Sequence, residues 1–216
     1  NRNVVETSGS AHCPENRRFA SELDVGGLLM RVVVTGARGF IGRNLIAHLR
    51  RWRDLEILEI DVETRPETLE ASLKDADFVF HLAGVNRPER VEEFFAGNVD
   101  FTAYLCDMLR HAGRAIPVVF SSSIQVERDN PYGRSKLQAE QVLQRYAMEQ
   151  QAPVMIYRLK NVFGKWSRPH YNSVVATFCH NIARGLPITI SDPATDLELV
   201  HIDDVVRYFM RELTQT

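Results

Sequence analysis

Apolar and polar positions follow two rhythms along this chain, and the rhythms take turns. Short apolar runs appear at "RVVVT" (31–35), "LEILEID" ending at Asp61, "DFVFHLAG" (77–84), "PVVFSSS" (117–123) and "PVMIYRL" (153–159). Between them, apolar residues recur every three or four positions, the period of an amphipathic helix. The first such stretch, about 40–52, puts Ile41, Leu45, Leu49 and Trp52 on one face. A short one carries Leu69 and Leu73, and long ones cover about 91–111 and 132–149. Farther on, the pattern predicts a helix near 174–184, short strands at "PITIS" and "LELVHI", and a last helix from about Asp204. Strands alternating with helices predict βαβ crossovers, hence an α/β fold of the Rossmann type: a doubly wound parallel sheet with helices on both faces. A ligand then belongs at the carboxyl ends of the strands. About sixteen residues separate Asp61 from Phe78, too few for a further βα unit, so the first half of the sheet is abbreviated.

Composition bounds the partners. At 216 residues and 44% hydrophobic content the chain can bury one full α/β core. Its formal charge of −2 gives no reason to expect nucleic acid or an anionic membrane surface. No uninterrupted apolar stretch is long enough to span a bilayer. Cys13, Cys106 and Cys179 are widely separated and suit a reducing cytoplasm better than a disulfide framework. Residues 1–29 include "SGSAHCPENRR" and lack the apolar core of a signal peptide. They read as a disordered extension translated from upstream of a start at Met30, or as a linker from an earlier domain, with the folded domain at 30–216.

The first candidate chemistry is the glycine turn Gly36, Gly39 and Gly42, set between a Val-rich strand and an amphipathic helix. Gly36 permits the tight turn, Gly39 removes a side chain that would block a pyrophosphate, and Gly42 lets the helix pack against the strand. The helix then aims its positive end at the anion. Tyr132 and Lys136, in "YGRSK", stand four apart at the start of a helix and so share a face. A neighbouring ammonium favours phenolate, so Lys136 is expected to lower the Tyr132 pKa from its ordinary value of about 10. The phenol can then give a proton to a carbonyl oxygen or take one from an alcohol. Of Ser121, Ser122 and Ser123 at the end of the central strand, Ser123 is nearest the loop and is placed to hydrogen-bond a substrate carbonyl. The other two read as partners of local backbone groups. His81 reads as a packed core histidine. The His201, Asp203 and Asp204 group suggests no metal site, since Asp203 or Asp204 fits a helix N-cap.

Together these residues resemble the extended short-chain dehydrogenase/reductase family: TGxxGxxG at 35–42, "HLAG" at 81–84, "SSS" at 121–123, "YGRSK" at 132–136 and "RLKNVFG" at 158–164. A narrower similarity lies in "HLAGVNRPE", "GNVD", "SSSIQVERDNPYGRSKLQAEQ" and "NVFGKWSRPHYNSVVATFCHNIAR". These resemble the N-terminal domain of the capsular and O-antigen polysaccharide reductases. The resemblance implies NADPH-dependent reduction of the C4 ketone of a UDP-linked 2-acetamido-2,6-dideoxy-4-hexulose, in a cytoplasmic enzyme that is a homodimer at full length. It also implies a partial C-terminal substrate lobe here and a metal-binding cupin domain beyond Thr216.

Carried over by position, the resemblance makes Tyr132 the proton donor. Lys136 would hold the ribose hydroxyls, and Ser123 would orient the ketone. Gly36, Arg38, Gly39, Phe40, Ile41 and Gly42 would hold the cofactor's pyrophosphate and adenosine end, with Leu82 and Ala83 lining its cleft. Asn161, Lys165, Arg168, His170 and Asn172 would meet the UDP-sugar.

Reaction and cofactor each have a rival. Sugar-nucleotide dehydratases of this superfamily carry an acid and a base after the active serine or threonine, whereas Ile124 and Gln125 follow Ser123. That argues against dehydration and leaves an NAD-dependent UDP-sugar 4-epimerase as the alternative to a reductase. A non-catalytic dinucleotide sensor is disfavoured by the Tyr132–Lys136 pair. Arg38 and Arg43 suit the 2′-phosphate of NADPH. Asp61, nineteen residues past Gly42, suits the free 2′-hydroxyl of NADH. NADPH is the expected cofactor, with NADH the alternative.

Overall fold

The computed structural model describes residues 4–6, 29–171, 173–190 and 192–215. Five parallel strands form the body of one sheet: β2 (Met30–Thr35), β3 (Leu55–Ile60), β4 (Phe78–His81), β5 (Val118–Ser123) and β6 (Val154–Leu159). β1 (Val4–Glu6) adds a sixth, parallel to β6 with Val4 opposite Ile156. Within the N-terminal extension these three residues form a strand, while residues 1–3 and 7–28, Cys13 included, lie outside the described residues. The strand order is β1-β6-β5-β4-β2-β3.

That order explains where the cleft opens. From β2 the chain steps outward to β3, then crosses back to place β4 on the other side of β2. The direction of winding reverses between β2 and β4, and their carboxyl ends diverge there. No further strand lies outside β3 among the described residues, the abbreviation expected from the short interval between Asp61 and Phe78.

Alternation along each strand builds two cores. Val33 and Val79 face α2 (Pro66–Lys74), α4 (Phe101–His111) and α5 (Pro131–Gln150), whose Leu73, Leu105, Leu109 and Leu143 are fully buried against them. Their neighbours Val32, Val34, Phe78 and Phe80 face the other way. These pack against Leu45 and Leu49 of α1 (Phe40–Leu49) and Val205 and Phe209 of α7 (Ile202–Gln215). A small parallel pair, β7 (Asn161–Phe163) and β8 (Leu199–His201), stands beside this body with α6 (Val174–Ile182).

Several elements differ from the sequence pattern. Residues 187–190 of "PITIS" form no strand, with Ile188 and Ile190 exposed, and Ser191 lies outside the described residues. The 91–111 helix has three parts: α3 (Glu92–Phe95), one π-helical turn (Ala96–Asp100) and α4. The extra residue of that turn swings Asn98 inward. Its amide donates to Val85 O and Ser135 Oγ, each at 2.9 Å, and its carbonyl accepts from Val85 N at 2.9 Å. α7 begins at Ile202, ahead of Asp204, because His201 Nδ1 accepts the Asp203 N–H at 3.3 Å. Asp203 and Asp204 therefore sit in the first turn, where the helix dipole favours carboxylates, and neither is the N-cap. No helix among the described residues is long and apolar enough to cross a membrane.

Candidate active site

The glycine turn joins β2 to α1. Gly36 has φ +66°, a left-handed conformation that side chains resist, and a β-carbon there would lie 2.8 Å from Ala83 N. Gly42 faces the back of the same turn, where helix and turn are in backbone contact. Gly36, Gly39, Asp61, Leu82 and Ala83 line one cavity of about 480 Å³ at the carboxyl ends of β2, β3 and β4. A narrow glycine-walled slot beside a helix start, with an apolar floor, fits a dinucleotide. Asp61 closes it on the β3 side: its Oδ2 accepts the Arg38 N–H at 2.7 Å and its Oδ1 accepts the Val62 N–H at 2.9 Å. The Arg38 side chain turns outward and pairs with Glu63.

Leu82 and Gly84 also border a second cavity, about 320 Å³, which holds Ser123, Tyr132, Lys136, Phe40, Ile41 and Asn161. The two cavities therefore adjoin along the end of β4. Local chemistry fixes the reactive groups. Asn130 caps α5, its Oδ1 accepting the Gly133 N–H at 2.8 Å, and Pro131 occupies the first turn. A β-carbon on Gly133 would lie 2.1 Å from Gln125 O, so this glycine lets α5 start directly against the 3₁₀ turn that follows Ser123. Ser123 and Tyr132 are thereby brought together on the lining of this cavity.

The pKa directions revise the expected division of labour. Burial pushes the Tyr132 phenol above its ordinary value, and the nearby Ser123 offsets part of that rise. The expected lowering by Lys136 is absent. Lys136 is itself 3% exposed, with Nζ 4.1 Å from the Phe120 ring centroid. Desolvation pushes its amine down to about 7, against a smaller upward pull from Glu140. A raised phenol pKa keeps Tyr132 protonated at neutral pH, the state a proton donor requires.

His81 is a core residue with a structural task. Thr102 Oγ1 donates to Asn98 O at 2.6 Å, so it accepts from His81 Nε2–H at 2.8 Å. His81 Nδ1 then accepts the Thr35 hydroxyl at 2.8 Å, while Thr35 Oγ1 accepts the N–H groups of Leu82 and Ala83 at 3.2 Å. Burial, with Lys136 nearby, pushes the imidazole down to about 3, so this neutral chain holds the cleft floor across the working pH range. Sequence reasoning also missed Asn86 and Lys160, which line the cavity around Tyr132. Lys160 pairs with Glu198 at 2.7 Å.

The loop after Asn161 departs from expectation. Lys165, Arg168 and His170 do not line the cavity around Tyr132. Asn44 Nδ2 donates to Lys165 O at 2.9 Å, which ties the loop to α1, and Trp166 turns left-handed at φ +70°. Lys165 and Arg43 both stack on the Trp166 ring. Arg168 lies with Arg38, Arg43 and Arg50 around a separate open cavity. His170 packs edge-on against His180, with ring centroids 5.3 Å apart. Asn172 lies outside the described residues. Ser122 also departs: its hydroxyl bonds Glu140 at 2.5 Å and no backbone group.

A glycine-walled slot opening onto a Ser-Tyr-Lys cavity is the arrangement of an NAD(P)-binding enzyme domain. The chain belongs to the NAD dependent epimerase/dehydratase family, which matches residues 32–216. It is 54% identical over 182 residues to UDP-2-acetamido-2,6-beta-L-arabino-hexul-4-ose reductase of Pseudomonas aeruginosa, covering 84% of this chain and 49% of that protein. Among solved structures it is similar to capsular polysaccharide assembling protein CapF from Staphylococcus aureus (TM-score 0.78, 48% identity, 87% of this chain and 51% of that one). It is also similar to MoeE5 in complex with UDP-glucose and NAD (TM-score 0.71, 29% identity, 83% and 70%). The chain thus spans about half the length of the reductase and of CapF.

Proposed function

We propose that this chain carries the ketoreductase activity of a UDP-sugar enzyme: NADPH-dependent reduction of the C4 ketone of a UDP-2-acetamido-2,6-dideoxy-4-hexulose, in capsule or O-antigen synthesis. The observation that carries the reading is Ser123, Tyr132 and Lys136 lining one cavity that adjoins the glycine-walled slot. The 54% identity to the hexulose reductase supports the substrate. When bound, the cofactor supplies the hydride for C4. Ser123 donates a hydrogen bond that orients the ketone and polarises it. Tyr132 delivers its phenolic proton to the carbonyl oxygen as charge develops there, which balances the hydride and yields the alcohol. Lys136 holds the ribose hydroxyls. Asn161 and Lys160, which line the same cavity, would meet the UDP-sugar.

NADPH is supported by the cluster of Arg38, Arg43, Arg50 and Arg168 beside the glycine turn. Both Asp61 oxygens are already engaged by backbone N–H groups, which spends the carboxylate on shaping the turn. A second reading, an NAD-dependent UDP-sugar 4-epimerase, draws on the same Asp61, because it lines the slot where a 2′-hydroxyl would be bonded. An epimerase retains its cofactor through turnover, while a reductase consumes one NADPH per product, so stoichiometric loss of NADPH separates them. Residues 30–216 would then be the reductase domain, with a homodimer and a cupin domain belonging to the full-length protein. A cytoplasmic setting agrees with the free thiols of Cys106 and Cys179. The decisive test is substrate-dependent NADPH oxidation with identification of the reduced UDP-sugar.

A further inference from the structure

One buried charge lies beside the reaction centre without a part in it. Glu140, on α5, is 1% exposed and stands one helical turn beyond Lys136 on the same face. Its Oε1 accepts from Ser122 Oγ at 2.5 Å and from Arg158 Nε at 3.1 Å, and its Oε2 accepts from Arg158 Nη2 at 2.8 Å. Ser122 and Arg158 are register partners on β5 and β6. A single carboxylate therefore ties α5 to the carboxyl ends of both strands, one residue before Ser123 leaves the sheet.

An ion pair is a costly way to make such a joint. Desolvating a carboxylate and a guanidinium commonly outweighs their attraction, and apolar side chains would fasten the same elements with less loss. A purely structural role leaves the charge unexplained, whereas the neighbour one turn away accounts for it. The titratable and charged groups facing Lys136 are Glu140 and Tyr132 on α5 and His81 on β4, with the Phe120 ring on β5. Tyr132 and His81 are neutral at working pH. Arg158 of β6 pairs with the same carboxylate, and Glu140 pulls the Lys136 amine upward.

We propose that Glu140 is a positioning residue for the reaction: it grips the end of β5 that presents Ser123, and it supplies the counter-charge that holds Lys136 as an ammonium. The second half rests on the assignment of Lys136 to the cofactor ribose under the proposed function. Glu140 touches neither cofactor nor ketone, so it acts through Lys136 and Ser123.

The test compares wild-type protein, E140Q and E140D by two readouts across pH: kcat for NADPH oxidation, and NADPH affinity from nicotinamide fluorescence. E140Q keeps the shape and removes the charge. Its alkaline limb, in both readouts, is expected to move to lower pH by about one unit, with roughly a tenfold loss on that limb. E140D, which restores a carboxylate, is expected to move the limb back toward wild type. If E140Q does not fold, the pair E140Q/R158Q also removes the guanidinium that faced the lost carboxylate and is expected to show the same shift. An unshifted limb in the folded charge-free variant, whatever its melting temperature, overturns the proposal. Fluorescence does not depend on the sugar, so wild-type protein that binds NADPH but reduces no ketone contradicts the assigned reaction and leaves the Glu140 result readable.

Discussion

Gly42 and Gly36 meet with no space for a side chain between them: a β-carbon on Gly42 would lie 2.2 Å from the Gly36 carbonyl oxygen. Backbone cannot yield as a flexible side chain would, so Gly42→Ala must push α1 away from the turn. Overpacking of this kind costs about 1–3 kcal/mol. The loss is expected in chemical denaturation, together with weakened NADPH binding, because the turn and the helix start form one wall of the slot.

Tyr132 donates the proton in this account, and Ser123 lines the same cavity. Tyr132→Phe removes the proton and little else. Steady-state assay is expected to show kcat lower by about 10²–10⁴-fold, the worth of a positioned general acid, with NADPH binding essentially unchanged. Wild-type turnover in this variant would remove Tyr132 from the mechanism.

Lys136 sets the pH response. Its buried amine is pushed down to about 7, so the free enzyme loses this positive charge as pH rises through that value. The kcat/KM for NADPH is expected to fall on the alkaline side with an apparent pKa near 7, and Lys136→Met is expected to abolish that limb. Stability has its own sign. An unfolded lysine keeps its proton up to about 10.4, so between about 7 and that value the unfolded chain binds more protons and stability rises with pH. The burial cost is complete below about 7. Urea unfolding at neutral and mildly alkaline pH, wild type against Lys136→Met, is expected to show the gap narrowing as pH rises.

In the proposed reading cofactor choice turns on Arg38, whose side chain pairs with Glu63 at the surface beside Asp61. Arg38→Ser is expected to lower kcat/KM for NADPH by about 10- to 100-fold, the worth of one charge-assisted contact. The value for NADH is expected to change little. An equal loss with both cofactors would assign Arg38 to the pyrophosphate and take the 2′-phosphate elsewhere.

Much of this was legible in the sequence because the signals are local. Val32, Val33 and Val34 announce a strand buried on both faces. The glycine spacing encodes a turn that only backbone can fill, and Tyr132 and Lys136 share a face wherever that helix lies. What was not legible depends on partners distant in the chain. The π turn at Asn98 exists because Val85 and Ser135 receive its side chain. Lys165 and Arg168 look like ligands for the UDP-sugar in the sequence, but Asn44, far back on α1, bonds the Lys165 carbonyl and neither side chain lines the cavity around Tyr132. The Tyr132 pKa direction misled for the same reason: helical spacing gives the distance to Lys136, but the burial that dominates both groups is a property of the whole cleft.

The central claim is that this cleft reduces a C4 ketone with NADPH. Absorbance at 340 nm, followed with purified protein, NADPH and a UDP-2-acetamido-2,6-dideoxy-4-hexulose, tests it most directly. The account predicts a fall that requires the sugar, matches one NADPH to each alcohol formed, and disappears in Tyr132→Phe. Intact protein that binds NADPH yet shows no sugar-dependent loss, or that interconverts UDP-sugars without consuming it, would contradict the account.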